Sequence, residues 1–195
     1  ATGRLLGSVN PADGSEHLAT WADVKANARS LGIILTDEDV HNVPLLATDA
    51  YGNYLPGPHG GLQIVTENAD GSHALIEVDP ASPILLPANV VRTGHAFVDD
   101  IAAGAAPSRP GATGTHLTPD ADTVAGASHP GGTYDDELLN AHFIGGDGRA
   151  NENIGLTAIH EIFHNEHNRL LEQVKAIIRA ELANGDTAFA SQWVL

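Results

Sequence analysis

The chain reads as a mainly α fold with irregular loops and short β hairpins. Three observations carry that reading. The longest periodic stretch, from Ile159 to Leu182, repeats apolar residues at a 3.6-residue period. Two further stretches, after Thr20 and after Pro87, show the same period over shorter spans. Between them, short apolar runs are broken by Gly, Pro and Asn, the pattern of turns and brief strands.

Taken in order, residues 1–18 are Gly-rich and polar, and read as an extended leading segment. Thr20-Trp-Ala-Asp23 is a capping-box start for a helix to about Leu31, with Trp21, Val24 and Leu31 toward the core and Gly32 as its stop. Ile33–Leu35 is a short apolar link. Thr36-Asp-Glu-Asp39 begins another short helix, where a Thr cap and first-turn acids suit the helix dipole. A calcium reading of its Asp-x-Asp lacks the EF-hand spacing and glycine, so the cap is preferred.

Residues 43–66 alternate Val43-Pro-Leu-Leu46, Tyr51-Gly-Asn-Tyr54 and Leu62-Gln-Ile-Val65 with turn residues, which predicts hairpins. Ala74–Val78 reads as a further strand, and the proline-rich residues 80–87 as no regular helix. A helix is expected from Pro87 to about Ala103, with Val90, Val91, Phe97, Val98 and Ile101 inward. Residues 104–133, rich in Gly, Pro, Ala, Ser and Thr, read as a long loop. Asp135–Phe143 is a short helix, and the long helix follows, packed on a core and stopped by Asn184-Gly185. The domain reading is a single incomplete domain over 1–195: a helix, loop and hairpin region over 1–133, then the Gly-rich motif and long helix over 134–195.

Bulk properties narrow the function. A net charge of -16 with only 9 Lys and Arg argues against nucleic acid or an anionic membrane as partner. No segment reaches the length of a membrane span. With no Cys, thiol chemistry and disulfides are excluded. The absence of Met as well suits a protein that handles peroxide, since both sulfur residues oxidise readily. The acidic, low-sulfur composition suits a secreted or extracytoplasmic protein.

Two chemistries can be read from the run Gly145 to Leu170. The first is local: His160-Glu161-Ile162-Phe163-His164 fits H-E-x-x-H. Residues four apart share a helix face, so two imidazoles could hold zinc while Glu161 activates a water. A third ligand is needed, and Glu181 is remote; Glu166 puts a charge where zincin helices are apolar. The plain alternative makes His160, His164 and His167 packed or solvated residues of one face, paired with nearby Glu.

The second reading needs the whole run. Gly146-Asp-Gly-Arg149, then Glu152, Leu156-Thr-Ala-Ile-His160 and Glu166-His-Asn-Arg169 resemble the animal (mammalian-type) haem peroxidases of the peroxidase–cyclooxygenase superfamily, in a bacterial-type form. The resemblance implies a helical haem-peroxidase-like domain, haem as cofactor, and hydrogen peroxide with a donor or halide as substrates. It implies Arg149 on the distal side as the catalytic residue. A guanidinium stays protonated and can stabilise negative charge developing on a leaving oxygen. Arg149 and Glu152 are the implied haem-contacting residues. Glu152 stands where mammalian members form a haem ester, while Asn153 excludes a sulfonium link.

Parts of the family pattern are not matched. No Asp-His pair supplies the distal base, and the calcium loop, a Thr/Phe/Asp/Ser pattern, is not found, so calcium is implied only for the parent domain. None of the three helix histidines is a haem ligand in this reading. Arg92-Thr-Gly-His95 is similar to the proximal ligand's context, but it precedes the motif instead of following it, and a structural role for His95 is preferred. The chain therefore resembles an internal fragment, expected to be inactive alone and completed by the remaining part of the same domain. A non-catalytic binding or structural module is the third class that stays open.

Overall fold

The computed structural model describes residues 5, 7–9, 14, 16–50, 52–98, 106–107, 116–145, 151 and 153–193. Its architecture is mixed rather than mainly α. Among the described residues, helices α1 (Trp21–Ser30), α2 (Asp136–Ala141), α3 (Ile154–Ala183) and α4 (Thr187–Ala190) accompany four two-stranded sheets. The strands are β1 (Gly7–Val9) with β2 (Glu16–Leu18), β3 (Ile33–Ile34) with β6 (Ile84–Leu85), β4 (Gln63–Glu67) with β5 (His73–Glu77), and β7 (Thr118–Pro119) with β8 (Thr133–Tyr134). The first and third sheets are antiparallel, the other two parallel. None of the described helices is long and apolar enough to cross a membrane.

The core forms around Trp21. The capping box at Thr20 and Asp23 starts α1, which places Trp21 fully buried against Val40, Ile64, Val98 and Leu139. Phe97 tilts onto its ring at 5.1 Å. Its indole N–H donates to Asp37 Oδ1 at 2.8 Å, which a buried Trp requires. Thr36 and Asp39 form the expected cap, here opening a 3-10 turn over Asp37–His41. Leu31 departs from expectation: it is the helix C-cap, 48% exposed. Gly32 then turns the chain at φ +95°, where any Cβ would meet the Asp79 backbone at 2.8 Å.

The helix expected from Pro87 to Ala103 is absent over 87–98, and Asp99–Gly104 lie outside the described residues. This segment is extended instead. Val91 N–H donates to the Val65 carbonyl and Thr93 N–H to the Val43 carbonyl, each at 2.9 Å. Val90 bridges to Thr66 and Arg92 to Pro44. The physical reason is local: β-branched Val90, Val91 and Thr93 suit a pleated strip, and Gly94 turns it at φ +81°. The apolar residues still reach the core, with Val98 buried and Val90 and Phe97 packed beside it. Arg92 is structural, donating to Asp39 Oδ1 and to the Asn42 carbonyl, each at 2.6 Å. His95 is exposed on the extended strip.

The long helix exists with the expected stop, but it does not pack its apolar stripe on this core. No α3 residue belongs to the main buried cluster among the described residues. Ile159, Ile162, Phe163, Leu170, Val174, Ile177 and Leu182 are all exposed, Phe163 by 72%. The face turned inward is polar: His160, Glu161, His164, Asn165 and Asn168, followed by Ile178.

Candidate functional site

The predicted site lies where the short helix α2 hands over to α3. Asp135 caps α2, its carboxylate accepting from Leu138 N–H at 2.6 Å. Residues 142–144 then run antiparallel to 19–21: Trp21 N–H donates to the His142 carbonyl (2.9 Å) and Ile144 N–H to the Ala19 carbonyl (2.7 Å). The chain leaves this strip at Gly145 and returns at Asn151. The Asn151 side-chain amide closes the excursion, accepting from Phe143 N–H and donating to the Phe143 carbonyl, both at 2.7 Å. A primary amide carries the donor and acceptor of a peptide, so it substitutes for a strand partner here. Asn153 caps α3 by accepting from Gly155 N–H at 2.8 Å.

Arg149 and Glu152, the two residues singled out by sequence, lie outside the described residues. Their flanks are fixed: Gly145 before, Asn151 and Asn153 around the return. Two cavities flank the Phe143–Asn151 stitch. One, of about 320 Å³, is lined by Leu5, Leu18, Ile144, Gly145, His160, Phe163 and His164. The other, of about 360 Å³, lies among Leu138, His142, Phe143, Asn151, Ile154 and Thr157.

The histidine face of α3 grips the β1–β2 hairpin by hydrogen bonds. Glu161 accepts from Leu18 N–H at 2.6 Å and from the Asn165 amide at 2.7 Å, one with each carboxylate oxygen. Asn165 also donates to the Glu16 carbonyl at 3.3 Å. Asn168, buried, accepts from Leu5 N–H at 2.9 Å and donates to its carbonyl at 3.4 Å. Gly7 lets the strand lie on His164; a Cβ there would sit 3.0 Å from the imidazole Cε1 and 3.0 Å from the His17 carbonyl oxygen. These buried amides carry no motif of their own. The signal that could have found them is the polar residues recurring at 161, 165 and 168, three and four apart between the apolar positions.

This geometry bears on both chemistries. One oxygen of Glu161 holds the hairpin and the other accepts from the Asn165 amide of the same helix, so it is not poised as a base over His160 and His164. Among the described residues, those two histidines gather no third His, Asp or Glu within metal-binding reach. For haem, the described residues supply an apolar wall of Leu5, Leu18, Ile144 and Phe163 beside the Phe143–Asn151 stitch, and among them no complete pocket. His164 is mostly buried, with Gly7 lying against its imidazole, and it lines the 320 Å³ cavity together with His160.

Residues 112–190 match the family model of the animal haem peroxidases. The match spans α2, the Gly145–Asn151 run, α3 and α4; of the buried Trp21 core it takes in Tyr134 and Leu139 and leaves the part drawn from residues 19–98 outside. No curated protein and no solved structure matches the chain.

Proposed function

We propose that this chain is one part of a haem peroxidase domain of bacterial type, contributing the distal arginine loop and the helix behind it. The observation that carries the reading is the family match over 112–190, which includes the whole Gly145–Arg169 run. The outward apolar stripe of α3 supports it, because such a stripe suits a helix meant to be covered by further parts of a domain. Haem, when bound by the complete domain, supplies the redox chemistry for reducing hydrogen peroxide and oxidising a small donor or halide. Arg149 contributes a permanent positive charge that orients peroxide and stabilises charge developing on its oxygen. Glu152 contacts the haem. The remaining part of the same domain is the partner that covers the stripe and provides the distal base and the proximal ligand. An extracytoplasmic location goes with the acidic, sulfur-free composition.

The test compares this chain with a longer form that continues past residue 195. The longer form is expected to gain a Soret band, stoichiometric iron and peroxidase turnover. In it, Arg149→Ala should lower turnover by about 10²–10³-fold while the Soret band stays. Stoichiometric zinc in the short form, with peptide hydrolysis lost in His160→Ala, would overturn the reading. Neither iron nor zinc in either form would leave a non-catalytic module.

A further inference from the structure

Among the described residues, the longest strand pair leaves one side open. β4 and β5 pair one to one from Gln63↔Glu77 to Glu67↔His73, with no bulge. The far side of β4 is closed: Val65 donates its N–H to the Leu45 carbonyl at 3.0 Å and accepts from Val91 N–H at 2.9 Å. Leu75 stands opposite Val65. Opposite residues of an antiparallel pair turn their backbone groups either toward each other or both away. The N–H and carbonyl of Leu75 therefore point away from β4, toward solvent. Ala47 N–H on the Gln63 carbonyl, and Glu67 N–H on the Asn89 carbonyl, give Glu77 and His73 the same orientation. Among the described residues, none of these three outward N–H groups has an acceptor.

Native sheets blunt such an edge with a lysine, a proline, a bulge or a covering element. β5, His73-Ala-Leu-Ile-Glu77, carries neither lysine nor proline. Its central side chain, Leu75, is 50% exposed, and His73 is exposed beside it. The strand is also complementary to itself. Turned antiparallel about Leu75, a second β5 sets Leu75 against Leu75, Ala74 against Ile76 and His73 against Glu77. An imidazole then lies opposite a carboxylate at each end, and two apolar side chains meet on the axis. This antiparallel register uses all five residues of the strand. Moving the axis to Glu77 would oppose two carboxylates instead. The Glu77 carboxylate is held at the end of the strand by His59 N–H at 2.9 Å and Gly61 N–H at 2.7 Å.

We propose that β5 is the interface of a two-fold dimer of this chain, in which two β4–β5 hairpins join edge to edge into one continuous antiparallel sheet. A two-fold contact brings the same surface of each copy together, so it requires a surface complementary to itself. Leu75 exchanges both backbone hydrogen bonds with its copy, and His73 exchanges its own with Glu77 of the second chain. This is recognition by strand addition, with main-chain bonds supplying the affinity and the side chains setting the register. The contact is small, so the dimer is weak and exchanges with monomer. It is independent of the peroxidase reading, because β5 lies outside residues 112–190. It is equally separate from the apolar stripe of α3.

The experiment is sedimentation velocity of the 195-residue chain carrying Ile162→Glu and Phe163→Glu, which removes association through the α3 stripe. A monomer–dimer equilibrium is expected with a dissociation constant between about 10 μM and about 1 mM. It should strengthen as salt screens the acidic surfaces. Leu75→Lys should abolish the dimer by setting two ammonium groups on the axis, and should leave the melting temperature within about 2 °C. The chain has no cysteine, so a single introduced one reports the register. Leu75→Cys should cross-link two chains under mild oxidation, since Cα atoms of such a pair lie about 5.5 Å apart, within disulfide reach. Ser72→Cys should not, because its copy would stand roughly 20 Å away. If Leu75→Lys misfolds, the cross-linking decides. A monomer at about 1 mM would overturn the proposal. So would a dimer that a folded Leu75→Lys leaves intact, or Ser72→Cys cross-linking as readily as Leu75→Cys.

Discussion

Asp37 shows what one side chain does for this core. It lies between α1 and β8 and receives three donors: Trp21 Nε1 at 2.8 Å, Lys25 Nζ at 2.6 Å and the Tyr134 hydroxyl at 3.0 Å. Burial alone would raise its pKa, but the Lys25 ammonium, the indole and the phenol outweigh it and hold the carboxyl below its ordinary value. A carboxyl depressed in the folded state stabilises fully above the ordinary carboxylate range, and that contribution fades as pH falls through the folded value. Asp37→Asn is therefore expected to cost about 1–3 kcal/mol at neutral pH, and less in acid. Urea midpoints at both pH values check this; an equal deficit at each would refute it. At this scale the local caps were legible: Thr20 with Asp23 and Thr36 with Asp39 are read from spacing three apart. Partners brought together by folding were not, since Tyr134 and Arg92 reach Asp37 and Asp39 from distant positions.

Helix α3 was legible in its length and its stop, and illegible in its orientation. Periodicity marks two faces without saying which one the rest of the chain will meet. Here the amide and imidazole face meets the β1–β2 hairpin, through bonds to backbone groups that no pattern announces. The segment after Pro87 failed for a related reason. Its apolar spacing satisfied a helix, but β-branched residues and open partners at Val43, Leu45 and Val65 favoured pairing. The exposed stripe gives an element-scale prediction. Ile162→Glu with Phe163→Glu should change the stability of this chain by no more than about 0.5 kcal/mol, since both residues are mostly exposed. The same pair should reduce self-association seen by light scattering. In the longer form it should cost about 2–4 kcal/mol, because the charges would then be buried. Equal destabilisation in both forms would mean that the stripe is not a face awaiting cover.

Across the whole molecule the charge is lopsided. Of the few cations, Lys25, Arg92, Arg169 and Lys175 are already committed to Asp37, Asp39, Glu166 and Glu172. The surplus of acids must repel itself over the surface. Raising sodium chloride from about 0.01 M to about 0.15 M shortens the screening length from about 30 Å to about 8 Å. The melting temperature should rise by a few degrees as a result, about 2–4 °C. A flat response would show that the repulsion is spent elsewhere. The expectation against nucleic acid and an anionic membrane belongs to this scale and rests on composition alone. The likeness to the peroxidases was legible from the Gly145–Leu170 run, and it agrees with the 112–190 match. The core around Trp21, drawn from residues 19–98 and 134–139, lies mostly outside that run and had no comparable signature.

The stitch between Phe143 and Asn151 has an evolutionary consequence. Two side-chain bonds hold the ends of the excursion, so the strip before it and the helix after it keep their places whatever the intervening residues are. Changing the length of such an excursion is cheap, about 0.6 kcal/mol per doubling. The two ends thus form a fixed frame, with Ile144 tied to the Ala19 carbonyl on one side and Asn153 capping α3 on the other. A lineage carrying this frame can vary the sequence between its two ends without having to learn to fold again.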